Sequence, residues 1–182
     1  MKNILIITGS PRFNGNSNRL ALAFKEGAMA NGNNVFEFDC ATKHIKPCVA
    51  CDGCWSNGKP CVFADDSLEL EEFMFKADVI VFVSPVYWFS FTSQIKLAID
   101  KLYPYIARKT PKPLKIKKCY LLTSAHDNTI EVFNGTVTSY LQIAKYMKWR
   151  DAGQVLVSGV NAVGDIEDNP ALVDAYNLGH NV

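Results

Sequence analysis

Short, continuously apolar runs separated by helix-length amphipathic segments constrain this chain more than any other feature. Ile4 to Thr8, Val79 to Val83, Cys119 to Thr123 and Val155 to Val157 read as strands buried on both faces, with Val35 to Phe38 a weaker fifth. Between them, apolar residues recur at helical spacing. Leu20, Ala23, Phe24, Gly27 and Ala28 form one stripe, stopped by Asn31-Gly32-Asn33. Leu70, Phe73, Met74 and Ala77 form another, after the capping residues Asp65-Asp66-Ser67. Ile95, Ala98, Ile99 and Leu102 repeat the pattern, as do Phe133, Val137, Tyr140, Leu141, Ala144 and Met147, and Pro170 to Leu178 reads as the last helix.

Strands that alternate with helices need a parallel sheet, and right-handed crossovers then put helices on both faces. The expectation is an α/β three-layer sandwich whose five parallel strands take the doubly wound order 2-1-3-4-5. At 182 residues the chain suffices for one well-buried core and is too short for two ordinary domains, so a single domain over 1–182 is expected. The one segment without a regular pattern is an excursion at about 41–63.

Charge narrows the partners. A formal net charge of +1 offers no excess to hold a phosphodiester backbone, and the lysines from Lys109 to Lys118 are interrupted by prolines, as in a solvated loop. Nucleic acid is not expected as a partner. Ile4 to Ile7 is too short for a signal peptide's apolar core, and the run at Val79 closes at Ser84-Pro85, well short of a membrane span. A cytoplasmic location follows as the expectation, with no membrane partner. There, six cysteines are metal ligands or free thiols rather than disulfides.

In an open α/β sheet, ligands bind beyond the carboxyl ends of the strands. The first strand runs into Gly9-Ser10-Pro11-Arg12-Phe13-Asn14-Gly15-Asn16-Ser17-Asn18. Gly9 and Gly15 permit unusual backbone angles. Ser10, Asn16, Ser17 and Asn18 offer donors beside the free amides of a helix start, and Arg12 either adds a charge-assisted bond or is simply solvated. The same composition also makes an ordinary strand-to-helix turn in which Ser17 or Asn18 merely caps. There is no Walker pattern and no Gly-x-Gly-x-x-Gly, so a monophosphate such as that of FMN fits better than a triphosphate or a dinucleotide.

Two further loops leave the same edge. Ser84-Pro85-Val86-Tyr87-Trp88-Phe89 puts three aromatics at the end of a central strand, suited to a flat ring system or, alternatively, to a core cluster under the next helix. Ser124-Ala125-His126-Asp127 follows the fourth strand onto the same edge, to flank that ring or the substrate space, or with His126 simply in a turn. In the excursion, Cys48, Cys51, Cys54 and Cys61 have two, two and six residues between them. Such compact runs hold 4Fe-4S clusters, whereas structural zinc more often uses two separated pairs. Free thiols packed as small hydrophobes are the other reading. Gly53 and Gly58 are expected to help the segment fold back, while Cys40 and Cys119 lie in or beside strands as buried, unreactive residues.

The strings TGSPRFNGNSN and SPVYWFSFTSQIKLAIDKLYP, with the intervening cysteines followed by Asp65-Asp66, resemble the NAD(P)H-dependent FMN reductases, including their iron-sulfur flavoprotein branch. The resemblance runs through Tyr103 and is weaker beyond. It implies a flavodoxin-like fold, with Ser10, Arg12, Asn16, Ser17 and Asn18 around the phosphate and Pro85, Val86, Tyr87, Trp88 and Phe89 at the flavin ring. It also implies a homodimer or homotetramer. Because flavin itself carries the chemistry, no catalytic side chain is assigned. The function expected is an FMN-dependent oxidoreductase passing electrons from NAD(P)H, a transient donor, to flavin, a quinone or another small-molecule acceptor. The alternatives are an iron-sulfur electron carrier working with a ferredoxin-like protein and a redox-responsive thiol protein.

Overall fold

Five parallel strands form one sheet in the order β2-β1-β3-β4-β5 in the computed structural model, which describes residues 1–106 and 110–182. They are β1 (Asn3–Thr8), β2 (Asn34–Asp39), β3 (Val79–Pro85), β4 (Lys118–Ser124) and β5 (Arg150–Val157). Among the described residues, five α-helices connect or follow them: α1 (Asn16–Ala30), α2 (Ser67–Lys76), α3 (Ser93–Asp100), α4 (Asn134–Met147) and α5 (Ala171–His180), with short 3-10 turns at Tyr103–Tyr105 and Ile130–Phe133. The expected three-layer architecture and strand order are therefore observed.

Period-two alternation explains the layers, because neighbouring residues of a strand face opposite sides. Leu5, Ile7, Ile80, Phe82 and Leu121 point to the side covered by α2, α3 and α4, where they meet Leu70, Met74, Ile95 and Tyr140. Ile4, Ile6, Val79, Val81 and Leu122 point to the other side, against Leu20 and Phe24 of α1 and Ala175 of α5. Strands buried on both faces have no polar side, hence the unbroken apolar runs in the sequence.

Three details differ from the sequence reading. The last strand starts at Arg150 rather than Val155. As an edge strand it tolerates polar residues, and Asp151 there accepts a 2.7 Å hydrogen bond from the buried Tyr140 hydroxyl. At α2, Asp66 does not cap with its side chain. The Ser67 amide donates to Asp65 at 2.9 Å instead, while Asp66 accepts the amide of His44 at 2.7 Å. Finally, the lysines before β4 are more engaged than a solvated loop requires. Lys115 pairs with Asp78 at 3.0 Å and the Lys112 ammonium lies 4.0 Å from the Phe75 ring centre, while Lys109 falls outside the described residues. Among the described residues, no helix is long and apolar enough to cross a membrane.

Candidate functional site

The carboxyl ends of β1, β3 and β4 are tied to one another by backbone and hydroxyl hydrogen bonds. The Gly9 amide donates to the Val83 carbonyl at 2.9 Å, and the Val86 amide to the Ser124 carbonyl at 2.8 Å. Thr92, just before α3, is fully buried; its hydroxyl donates to the Gly9 carbonyl at 2.6 Å and its amide to the Ser84 hydroxyl at 3.2 Å. Gly9 is not needed for a left-handed turn. A Cβ there would lie 2.6 Å from the Ile95 Cβ, so glycine lets the loop press against α3. The left-handed residue of the loop is Asn14, at φ 52°.

Between these loops lies a cleft of about 80 Å³. Ser10, Arg12, Asn16 and Ser17 line it from the first loop, Pro85, Val86 and Tyr87 from the second, and Ser124 and His126 from the third. The structure thus gathers these residues singled out in the sequence, together with Gly15 and Ala125 of the same loops, and adds Val160 and Asn161 from the loop after β5. No motif marked that last pair; only their position after a strand end does so.

The helix start at the floor of the cleft is left open. Among the described residues no side chain caps α1 and none partners the buried Ser17 hydroxyl, and the first turn of the helix carries no acidic residue. An uncapped helix start presents free amides and positive potential to an anion. The asparagine side chains also bond to the backbone of the loops. The Asn16 side-chain amide donates to the Ala162 carbonyl at 2.9 Å and that of Asn18 to the Arg12 carbonyl at 3.3 Å, so both shape the loop. Asn18 does not line the cleft. The Arg12 guanidinium donates to the Asn161 carbonyl, fastening the first loop to the last.

The aromatic loop forms a tight hairpin. The Tyr87 amide donates to the Ser90 carbonyl at 3.0 Å, the Ser90 amide returns the bond at 3.1 Å, and Trp88 and Phe89 between them take φ 47° and 61°. Positive φ at both central residues is the pattern of a type I′ turn, which glycine and asparagine ordinarily fill. Bulky residues in this region cost roughly 1–3 kcal/mol each and persist where the surroundings impose them. The glycine that α4 carries at 135 leaves the space for this hairpin, because a Cβ there would sit 2.1 Å from the Phe89 carbonyl oxygen. The hairpin turns Trp88 outward, 93% exposed, and neither Trp88 nor Phe89 reaches the cleft wall.

Cys48, Cys51, Cys54 and Cys61 all line a second cavity, of about 230 Å³, with Lys101, Phe63 and Tyr103. The segment's sharp bends fall at Ala50, Asp52, Trp55 and Gly58, all at positive φ; Gly53 instead abuts Val62. Side chains tie the segment to the body. Asp65 accepts the Lys46 amide at 2.8 Å, and the Trp55 indole donates to the Pro104 carbonyl at 2.9 Å. Burial, with Cys61, Cys51 and Cys48 nearby, pushes the Cys54 thiol up. Burial likewise pushes the Glu71 carboxyl up to about 7, against the opposing pull of the Cys61 amide and Lys101.

Among the described residues, no three His, Cys, Asp or Glu side chains converge to hold a single metal ion. Four thiols spread around one cavity form a different donor set, since the thiolates of a cubane each bond a different iron. Cys40 and Cys119 are buried as expected, and burial raises their thiols to about 12 and about 11.

Comparison with known proteins agrees with this architecture. An NAD(P)H:quinone oxidoreductase from Methanothermobacter marburgensis superposes with a TM-score of 0.77 at 20% identity, covering 99% of this chain and 96% of that one. An azoreductase gives 0.75 at 17% identity, covering 99% and 100%. An iron-sulfur flavoprotein of Archaeoglobus fulgidus is 35% identical over 106 residues, 58% of this chain and 48% of that protein. One from Methanosarcina thermophila is 33% identical over 95 residues, 52% and 49%. The chain thus spans about half the length of the curated relatives it matches. The sequence profile of the NADPH-dependent FMN reductases matches residues 2–148, which include all three strand-end loops and the cysteine segment, and the chain belongs to that family.

Proposed function

We propose that the chain is a flavin-dependent oxidoreductase that seats the phosphate of FMN at the start of α1 and passes electrons from NADH or NADPH to a quinone, free flavin or another small acceptor. The observation that carries this reading is the meeting of three strand-end loops around an uncapped helix start with a buried, unpartnered hydroxyl. The cleft, about 80 Å³, is smaller than a whole-ligand pocket, so it takes the polar end of a ligand whose remainder lies at its mouth. When bound, FMN supplies the hydride and electron chemistry.

The chain's own residues bind and orient. Ser17 and the first amides of α1 donate to the phosphate, and Arg12, fastened to Asn161, brings a positive charge to the same loop. Pro85, Val86 and Tyr87 form an apolar wall, and the hairpin tip with Trp88 and Phe89 stands outside the cleft, where the flavin ring would extend from its mouth. Ser124 closes the cleft from β4. Anaerobic loading with FMN followed by NADPH or NADH tests the reading. Prompt bleaching of the flavin band by either nucleotide is expected, and a chain that binds no FMN would contradict it.

A second reading is favoured by the four thiols around one cavity and by the iron-sulfur flavoproteins among the relatives. In it, Cys48, Cys51, Cys54 and Cys61 hold a 4Fe-4S cluster, and the chain exchanges electrons with a ferredoxin-like protein. Iron matching FMN, with bleaching only by a reduced ferredoxin, separates this from the first reading.

A further inference from the structure

A buried ion pair sits against the cysteine cavity, and nothing in the flavin cleft requires it. Lys101 follows α3 and is only 4% exposed, and its ammonium lies 3.6 Å from the carboxylate of Asp65, whose side chain is fully buried. The same nitrogen is 3.4 Å from the Cys61 Sγ and 5.2 Å from the Phe63 ring centre. Asp65 is already supplied with the Lys46 amide at 2.8 Å and the Ser67 amide at 2.9 Å.

A buried ion pair is a poor device for stability alone, because the desolvation of both charges offsets much of their attraction. Here one ammonium proton is aimed at sulfur, and a neutral thiol is a weak acceptor. A thiolate is a far better one, since the bond becomes charge-assisted. The pair also meets the cavity with its positive end, because the ammonium and not the carboxylate touches Cys61.

We propose that Lys101 is a positioning residue for a redox centre in the cysteine cavity: it donates a hydrogen bond to the Cys61 sulfur and, fixed by Asp65, raises the reduction potential of a cluster held there. This rests on the reading in which the four cysteines hold a 4Fe-4S cluster. One-electron reduction adds a single negative charge to the cavity and breaks no bond. A fixed positive charge and an N–H donor at a ligand sulfur both favour the more negative state, which raises the potential.

The test compares the full chain, purified and loaded anaerobically, with its Lys101→Met and Lys101→Arg variants. Iron and acid-labile sulfide are measured first. The cluster is then titrated with redox mediators and followed by electron paramagnetic resonance, with the flavin followed by absorbance in the same titration. At the wild-type midpoint, iron-loaded Lys101→Met should shift about tenfold toward the oxidised cluster, which for a one-electron couple is ~59 mV. The flavin potential should stay in place, and Lys101→Arg should shift less. An unmoved cluster potential in iron-loaded Lys101→Met overturns the inference. Should that variant fail to fold or to take up iron, Lys101→Gln, which keeps a donor without the charge, replaces it: a shift the same way supports the inference and no shift overturns it. A wild-type chain without iron overturns the cluster reading and this inference together, whereas iron with an unmoved potential overturns the inference alone.

Discussion

The cleft at the strand ends and the cysteine cavity are both lined by residues from loops, yet the balance of what holds them differs. The frame of the cleft is mainly main-chain: Gly9 bonded to Val83, Val86 bonded to Ser124, and a hairpin closed by two bonds between Tyr87 and Ser90, with the Thr92 hydroxyl and the Arg12 guanidinium as added side-chain ties. The cysteine segment has little regular structure of its own and is tethered by side chains, with Asp65 and Asp66 holding the amides of Lys46 and His44 and Trp55 bonded to Pro104. Backbone bonds at strand ends survive most side-chain changes, so the cleft should be sensitive to volume and backbone conformation. The cysteine segment should be sensitive to individual charged side chains.

The largest expected effect comes from crowding the backbone-built site. Gly135→Ala places a Cβ 2.1 Å from the Phe89 carbonyl oxygen and must displace the aromatic hairpin. It should weaken FMN binding by roughly a hundredfold, as overpacking costs of a few kcal/mol imply, while iron content stays as in the wild type. An unchanged dissociation constant would show that the hairpin does not contribute to the site. Ser17→Ala removes one buried donor, and titration should show FMN binding weakened about tenfold. Riboflavin, which lacks the phosphate, should bind both forms alike; equal losses for the two ligands would move the phosphate elsewhere.

Smaller effects refine the contrast. Trp88→Gly relieves a positive-φ aromatic and should stabilise the flavin-free chain by ~1 kcal/mol in denaturant unfolding, with slower flavin reduction by NADPH as the cost. Asp66→Ala removes the tether on His44 and, under the reading in which the four cysteines hold a cluster, should lower iron retention after gel filtration without changing FMN affinity. Least of all should happen at Cys40 and Cys119. Burial holds both thiols protonated well past the range in which exposed thiols ionise, so peptide mapping after iodoacetamide should find them unmodified up to about pH 9. In metal-free protein the exposed Cys48 and Cys51 should be alkylated first.

The same contrast explains what the sequence could reveal. β1, β3 and β4 were legible because strands covered on both faces must be apolar throughout, whereas the first half of β5 was hidden because an edge strand accommodates Arg150 and Asp151. The Gly, Ser and Asn content of the first loop and its place at a strand end were legible, but its internal wiring was not. Asn16 and Asn18 could equally donate to a ligand or to the loop, and only the fold decides for the carbonyls of Ala162 and Arg12. Trp88 and Phe89 stand in a turn that normally takes glycine or asparagine and so leave no local signal, and the close approach of the Phe89 carbonyl to Gly135 of α4 joins distant segments. The pairing of Lys101 with Asp65 and Cys61 joins distant segments, and no spacing rule reaches across them.

Titration of the flavin-free chain with FMN and with riboflavin, followed by quenching of flavin fluorescence, tests the phosphate seat at the start of α1 most directly. Saturation at one FMN per chain, with riboflavin bound far more weakly and the preference reduced in Ser17→Ala, is the result expected. Equal affinity for the two flavins, or no binding of either, would contradict it.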